Sequence, residues 1–150
     1  MNDGELYRLL VFNEEAMKMN LGRVFTDEEA EMVFGAYLEM NADEGAAGAY
    51  KVYSDTGEYV GMGSLCPNEE LGAVEIEYML LPRCWRRGYG TELVGELLKL
   101  ASRSGLCKAA AITDPENIPS QKVLLKNGFE FVKQFANPEG ESVRLYQRTL

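Results

Sequence analysis

Between a strand-like run and a helix-like run the chain reads Arg86-Arg87-Gly88-Tyr89-Gly90-Thr91. Glycines at such a junction let the backbone approach a ligand, and the first N–H groups of a helix are unbonded and partly positive. Two arginines beside them make the segment suitable for a phosphate or pyrophosphate. A plain turn with solvated arginines has the same composition, so the segment alone leaves both readings open. Two better-known phosphate loops are excluded. A P-loop needs Lys after its last glycine, and Gly90 is followed by Thr91 and Glu92. The dinucleotide fingerprint needs a third glycine where Leu93 stands. Just upstream, Glu75 and Glu77 alternate along one strand and so point to one side, together with Met79 and Leu81. They matter because the chain has no histidine. That removes Ser-His-Asp and Cys-His nucleophile pairs, HExxH zinc sites and any imidazole base. Proton transfer falls to carboxylates, Lys, Tyr, Cys, backbone or water.

The charge is unevenly spread. Residues 1–82 carry 4 basic and 17 acidic side chains, a net of −13, while residues 83–150 carry 11 basic and 7 acidic, a net of +4. The basic part opens with the glycine loop, which fits an anionic ligand on that side and a cationic one on the other. The total of −9 argues against nucleic acid as a partner. Cys66, Cys84 and Cys107 are odd in number and form no CxxC. We expect neither a zinc ribbon nor a redox pair, but reduced thiols in a cytoplasmic protein, with no metal. The acidic start and short apolar runs give no expectation of a signal peptide or a membrane segment.

The elements that must position these groups follow from period and punctuation. The 150 residues suit a single domain, 1–150. The first forty residues read as helices. Thr26 and Glu29 have capping-box spacing, and Ala30, Val33, Phe34, Tyr37 and Leu38 form a helical stripe after them. LYRLLVF, earlier, would serve as helix or strand. AYKVYS and EYVGMGSL flank a turn at Asp55-Thr56-Gly57, and AVEIEYMLLP is a third strand, stopped by Pro82. After the loop comes a helix with Leu93, Val94, Leu97, Leu98 and Ala101 on its buried side and Gly105 as its stop. CKAAAIT has the uninterrupted apolar character of a strand in a parallel pair. A helix from Asn117 to Lys126 and two further strands joined at Asn137 to Gly140 complete one mixed α/β sheet.

In these residues the chain resembles the GNAT superfamily of acyl-CoA-dependent N-acyltransferases. EIEYMLLPRCWRRGYGTEL is similar to that family's central strand and pyrophosphate loop. Asn117-Ile118-Pro119-Ser120 and Leu124-Leu125-Lys126-Asn127-Gly128-Phe129 are similar to its NxxSxxxLxKxGF block. The resemblance covers about residues 73–132. Trp85, with the GYGT and Glu92 that follow, is closest to the branch acting on ribosomal-protein N-termini.

The resemblance implies a sheet with a splayed parallel pair, flanked by helices, and acetyl-CoA as cosubstrate. Met79, Leu80 and Leu81 would pair by main chain with the pantetheine arm. Arg86, Arg87, Gly88, Tyr89, Gly90 and Thr91 would hold the pyrophosphate, and Asn117 and Ser120 would contact the lower arm and thiol region. Glu75 stands where many members keep a general base, with Glu77 as its competitor. Leu124 stands where many have a tyrosine acid, so Ser120 is the substitute by position. The family's first strand is absent, shortened or contained in LYRLLVF. The implied reaction is direct acetyl transfer to a primary amine, small molecule or peptide, in a ternary complex. The acidic half suggests a cationic acceptor. A cysteine nucleophile is not expected, because Cys84 has no histidine to activate it. The alternative is an acyl-CoA-binding sensor with little catalysis. Membrane partners are not expected, and both monomer and homodimer stay open.

Overall fold

A computed structural model describes residues 1–43 and 45–150. The Asn2 side chain accepts from the Glu5 N–H at 2.8 Å, and the Glu5 carboxylate accepts from the Asn2 N–H at 2.9 Å. This capping box starts helix α1 (Asp3–Val11), so LYRLLVF is helical, with Tyr7, Leu10 and Val11 on its buried side. A short α2 (Glu14–Met17) leads to α3 (Asp27–Ala42), which opens with the expected Thr26–Glu29 box. Ala30 is buried and Val33, Phe34 and Tyr37 pack on the core. Leu38, expected on the same stripe, is 52% exposed, because it stands on the wall of a half-open pocket rather than against the sheet.

The strands are β1 (Gly48–Tyr53), β2 (Tyr59–Asn68), β3 (Ala73–Leu80), β4 (Lys108–Thr113), β5 (Glu130–Ala136) and β6 (Ser142–Thr149). They form one sheet in the order β1-β2-β3-β4-β6-β5. Every neighbouring pair is antiparallel except β3 and β4. Helix α4 (Tyr89–Arg103) makes the crossover between these two, as a parallel connection requires. Its stripe of Leu93, Val94, Leu97, Leu98 and Ala101 is buried as expected. Each of its larger apolar side chains contributes about 1.5–3 kcal/mol. Helix α5 (Ile118–Lys126) lies between β4 and β5 in the chain.

Parity assigns the two faces. A Cβ on Gly63 would press on Leu97 and Leu93, so α4 covers the face that carries Gly63 and its partner Tyr78. Helices α1 and α3 cover the opposite face, where Ser64 stands across from Glu77 and Cys66 across from Glu75. Among the described residues the one parallel pair is registered only at Val74↔Ala109 and Glu75↔Ala110. Beyond those pairs β3 continues to Leu80 and β4 to Thr113 without bonding to each other, so the sheet opens between them. The far end of β3 is held by β2 instead. Gly61, at φ 155, sits so close to β3 that a Cβ there would fall onto the Met79 carbonyl oxygen.

Candidate functional site

The opening between β3 and β4 presents main chain. The Leu81 N–H donates to the Val60 carbonyl at 2.9 Å. Antiparallel alternation then turns the main chain of Glu77, Met79 and Leu81 toward β2, and that of Tyr78 and Leu80 toward the opening. The Leu80 carbonyl is already occupied, accepting from the Trp85 indole N–H at 3.0 Å. Trp85 therefore ties the loop to the strand end. What remains on the open side is the N–H of Tyr78, its carbonyl, and the N–H of Leu80. Of the expected Met79, Leu80 and Leu81, only Leu80 offers its main chain there. Tyr78 joins it, a residue that the sequence motif does not single out.

At the wide end of the opening lies the loop. Leu81 leads into a single 3-10 turn, Pro82–Cys84, which buries Cys84. Arg86 at φ 61 and Gly88 at φ 84 then bend the backbone into the start of α4. Gly88 is the N-cap and offers no side-chain acceptor, so the first N–H groups of α4 have no capping partner. Nothing lies within 4 Å of where a Gly88 Cβ would be. Gly90 is buried, with Val123 and Tyr78 closing on its Cα, which brings α4 tightly onto β3 and α5. Arg87 stacks over the Tyr89 ring at 5.1 Å and donates to its hydroxyl at 3.3 Å, while Arg86 is exposed. Unbonded N–H groups beside two cations suit a polyanion.

The side chains meet at two places. On the α4 face, the Tyr78 hydroxyl donates to the Ser120 hydroxyl at 3.2 Å. Burial pushes the Tyr78 hydroxyl up from its usual range, and Ser120 partly offsets this. Asn117 caps α5, its side-chain oxygen accepting from the Ser120 N–H at 3.2 Å. Leu124 is a core residue.

On the α1–α3 face, Glu75 accepts from the Asn68 amide at 3.2 Å. Desolvation of the Glu77 carboxyl, and then the charge of Glu75, push the Glu77 pKa up, although the residue as a whole is exposed. The Tyr37 hydroxyl lies against both Glu77 and Ser64, and favours the carboxylate slightly. Tyr7 packs edge-on to Tyr37 at 6.0 Å, and the Cys66 thiol is 3.8 Å from the Ser64 hydroxyl. Burial pushes the Tyr7, Tyr37 and Cys66 groups up, so all three stay protonated near neutral pH. The parity of β3 and the stripe on α3 gave the signal for Tyr78 and Tyr37. Neither gave the partner across the space.

Among the described residues no group of three or more His, Cys, Asp or Glu could hold a metal ion, and no helix is long and apolar enough to cross a membrane. A broad hollow of about 520 Å³ lies by Lys108, Glu130 and Arg148. It is at the start of β4, away from the opening, and carries none of this chemistry.

A parallel pair parted over a helix start without a side-chain cap leaves main-chain groups free along the opening and at its wide end. The family model described as "Acetyltransferase (GNAT) domain" matches residues 2–130, and the chain belongs to that family. It is 31% identical over 78 residues to the uncharacterized N-acetyltransferase YoaA of Bacillus subtilis (strain 168), covering 51% of this chain and 44% of that protein. The chain thus spans less than half the length of this curated relative in the match. RimL, a ribosomal L7/L12 alpha-N-protein acetyltransferase solved with coenzyme A, superposes with a TM-score of 0.80 at 18% identity, over 99% of this chain and 91% of that one. A point mutant of the spermidine N-acetyltransferase SpeG of Vibrio cholerae does so with 0.71 at 16%, over 99% and 92%. At these identities the likeness is one of fold. The fold, the mixed sheet and the splayed pair are as expected.

Proposed function

We propose that the chain transfers an acetyl group from acetyl-CoA to a cationic primary amine by direct attack in a ternary complex. The observation that carries this is the opening between β3 and β4, with uncapped N–H groups at one end and a carboxylate pair on the face beyond it. The site fits the cosubstrate. The start of α4, with Arg86 and Arg87, would hold the pyrophosphate, and Gly88 leaves the space it needs. The free main chain of Tyr78 and Leu80 would pair with the pantetheine arm, with Asn117 and Ser120 near the thiol. The cosubstrate supplies an activated thioester.

An amine near neutral pH is mostly protonated and must lose that proton to attack. Glu75 and Glu77 share that task. Glu77 is the first candidate for the base, because desolvation of its carboxyl and the neighbouring charge push its pKa up. Glu75, held by Asn68, supplies that charge and remains the second candidate for the base. The Leu80 or Tyr78 N–H would stabilise negative charge on a carbonyl oxygen. Ser120, whose hydroxyl accepts from that of Tyr78, would donate to the departing sulfur. A thiol with pKa ~8.5 leaves readily as thiolate, so this donation helps little.

The test is free-thiol release from acetyl-CoA across amine classes, with the N-acetylated product identified by mass. Amine-dependent release is expected. Tight CoA binding with no release from any amine would favour the acyl-CoA sensor.

A further inference from the structure

The face that holds Glu77 also contains a pocket of about 100 Å³ between α1, α3 and the edge of the sheet. Tyr7, Phe34, Tyr37, Leu38, Tyr59 and Met62 stand on its wall, with Asn41 and Lys51 among the polar residues beside them. Its inner side is shared with the candidate site. Tyr37 lines the pocket and touches Glu77, while Met62 lines it and stands opposite Met79. Aromatic packing fixes the wall, with Tyr7 stacked on Phe34 at 5.8 Å and edge-on to Tyr37 at 6.0 Å. Among the described residues the one carboxylate on the lining, Asp3, is already bonded to the Lys51 ammonium at 2.8 Å.

Resting on the transfer reading above, we infer that this pocket receives the substituent next to the acceptor's amino group, and that the substituent is compact and aliphatic. The amine itself would face the Glu75–Glu77 pair, which accounts for its charge. Beyond the amine the walls are mostly apolar, and the Asn41 amide on them is already bonded to the Ala49 main chain, so a hydrocarbon group gains by leaving water. A second ammonium, as on a polyamine or a lysine, would lose hydration, and among the described residues of the lining no free carboxylate replaces it. Aromatic faces attract cations, but the Asp3–Lys51 pair at 2.8 Å brings no net negative charge to hold one. The volume sets the size. A ~150 Å³ apolar cavity takes benzene, so this one suits a branched aliphatic group.

The experiment compares leucinamide, glycinamide, lysinamide and spermidine at saturating acetyl-CoA. It uses the wild type, Leu38→Trp at an exposed wall position, and Ala49→Leu on the strand side. In the wild type, kcat/KM for leucinamide should exceed that for each of the others at least tenfold. Either variant should bring the leucinamide-to-glycinamide ratio to within about twofold. A wild-type ratio near one, a preference for spermidine or lysinamide, or a ratio untouched by both variants overturns the inference. Calorimetry on the CoA complex separates this from a failure of transfer. Leucinamide binding that is lost in Leu38→Trp, without turnover of any amine, supports the pocket and removes the transfer reading. Equal or absent binding of leucinamide and glycinamide, without turnover, overturns the pocket.

Discussion

The loop from Trp85 to Thr91 and the cluster around Glu77 are made of different things. The loop is one short stretch in which glycines, a positive-φ arginine and an uncapped helix start expose main-chain donors. Its side chains matter chiefly as charge. The cluster is side chain throughout, brought together from α1, α3, β2 and β3: Tyr7, Tyr37, Ser64, Cys66, Glu75 and Glu77. A main-chain site can bind only what all its relatives bind, since backbone looks the same in each. A side-chain site can change its ligand with a few substitutions. The loop would therefore serve the shared donor and the cluster the acceptor.

The sharpest way to break this contrast is at Glu77. Glu77→Gln should lower kcat by roughly 10²–10⁴-fold with acetyl-CoA affinity intact, and Glu75→Gln should cost less. The reverse ranking would return the base to Glu75. In the wild type, kcat/KM should fall with acid through a pKa above the ordinary carboxylate range, because the base must be ionised. The same shift has a consequence for stability. The folded pKa of Glu77 is raised, so the folded chain holds more protons than the unfolded one in that window. Stability linked to Glu77 is complete below the unfolded pKa of ~4.3 and is lost as pH rises through the folded value. Glu77→Gln should thus raise the melting temperature at pH 7 relative to wild type, with the gap closing in acid. A variant that is less active and no more stable would show that burial is not what tunes this carboxylate.

A smaller effect is expected at the loop. Gly88 is at φ 84, where a side chain is strained, and its Cβ would project into the space a pyrophosphate would use. Gly88→Val should weaken CoA binding at least tenfold, ~1.4 kcal/mol, by calorimetry. Unchanged affinity would mean that the ligand does not approach this backbone.

This contrast also explains what could be read from the chain. The loop, the capping box at Thr26, the α4 stripe and the parallel strand all declare themselves within a few residues, because their causes are local. LYRLLVF did not, since its apolar residues satisfy both periods, and the deciding Asn2–Glu5 box lies wholly before that run. Parity placed Glu75 and Glu77 on one side correctly but could not rank them. Their difference comes from Asn68 on one and the surroundings of Tyr37 on the other, which only pairing of β2 with β3 and packing of α3 bring near. Tyr78 was missed for a related reason. Parity turned it away from the carboxylates, and its partner Ser120 is 42 residues further along the chain.

The smallest effect expected is that of salt on the acceptor. The first 82 residues carry a net of −13. Much of that charge on the helices is already engaged. Glu29 is held by Arg23 at 2.7 Å, Asp3 by Lys51 at 2.8 Å, and Arg8 reaches Glu31 at 3.8 Å. The field that draws in an ammonium would come from Glu14, Glu15, Asp27 and Glu28, together with the carboxylate pair. Such a field is screened over ~8 Å at physiological ionic strength, so only the last part of the approach feels it. Raising salt from low to physiological levels should increase the acceptor's KM about two- to threefold and leave kcat nearly unchanged, since screening slows capture rather than chemistry. Acetyl-CoA must be saturating throughout, because its own phosphates would lose affinity at the basic loop under the same salt. Charge reversal at Glu14 and Glu28, both exposed and outside the pocket, should reproduce the rise in KM at low salt and abolish its salt dependence. A KM that ignores salt would leave the acidic helices as a solubilising surface, with Glu75 and Glu77 alone reading the charge of the amine.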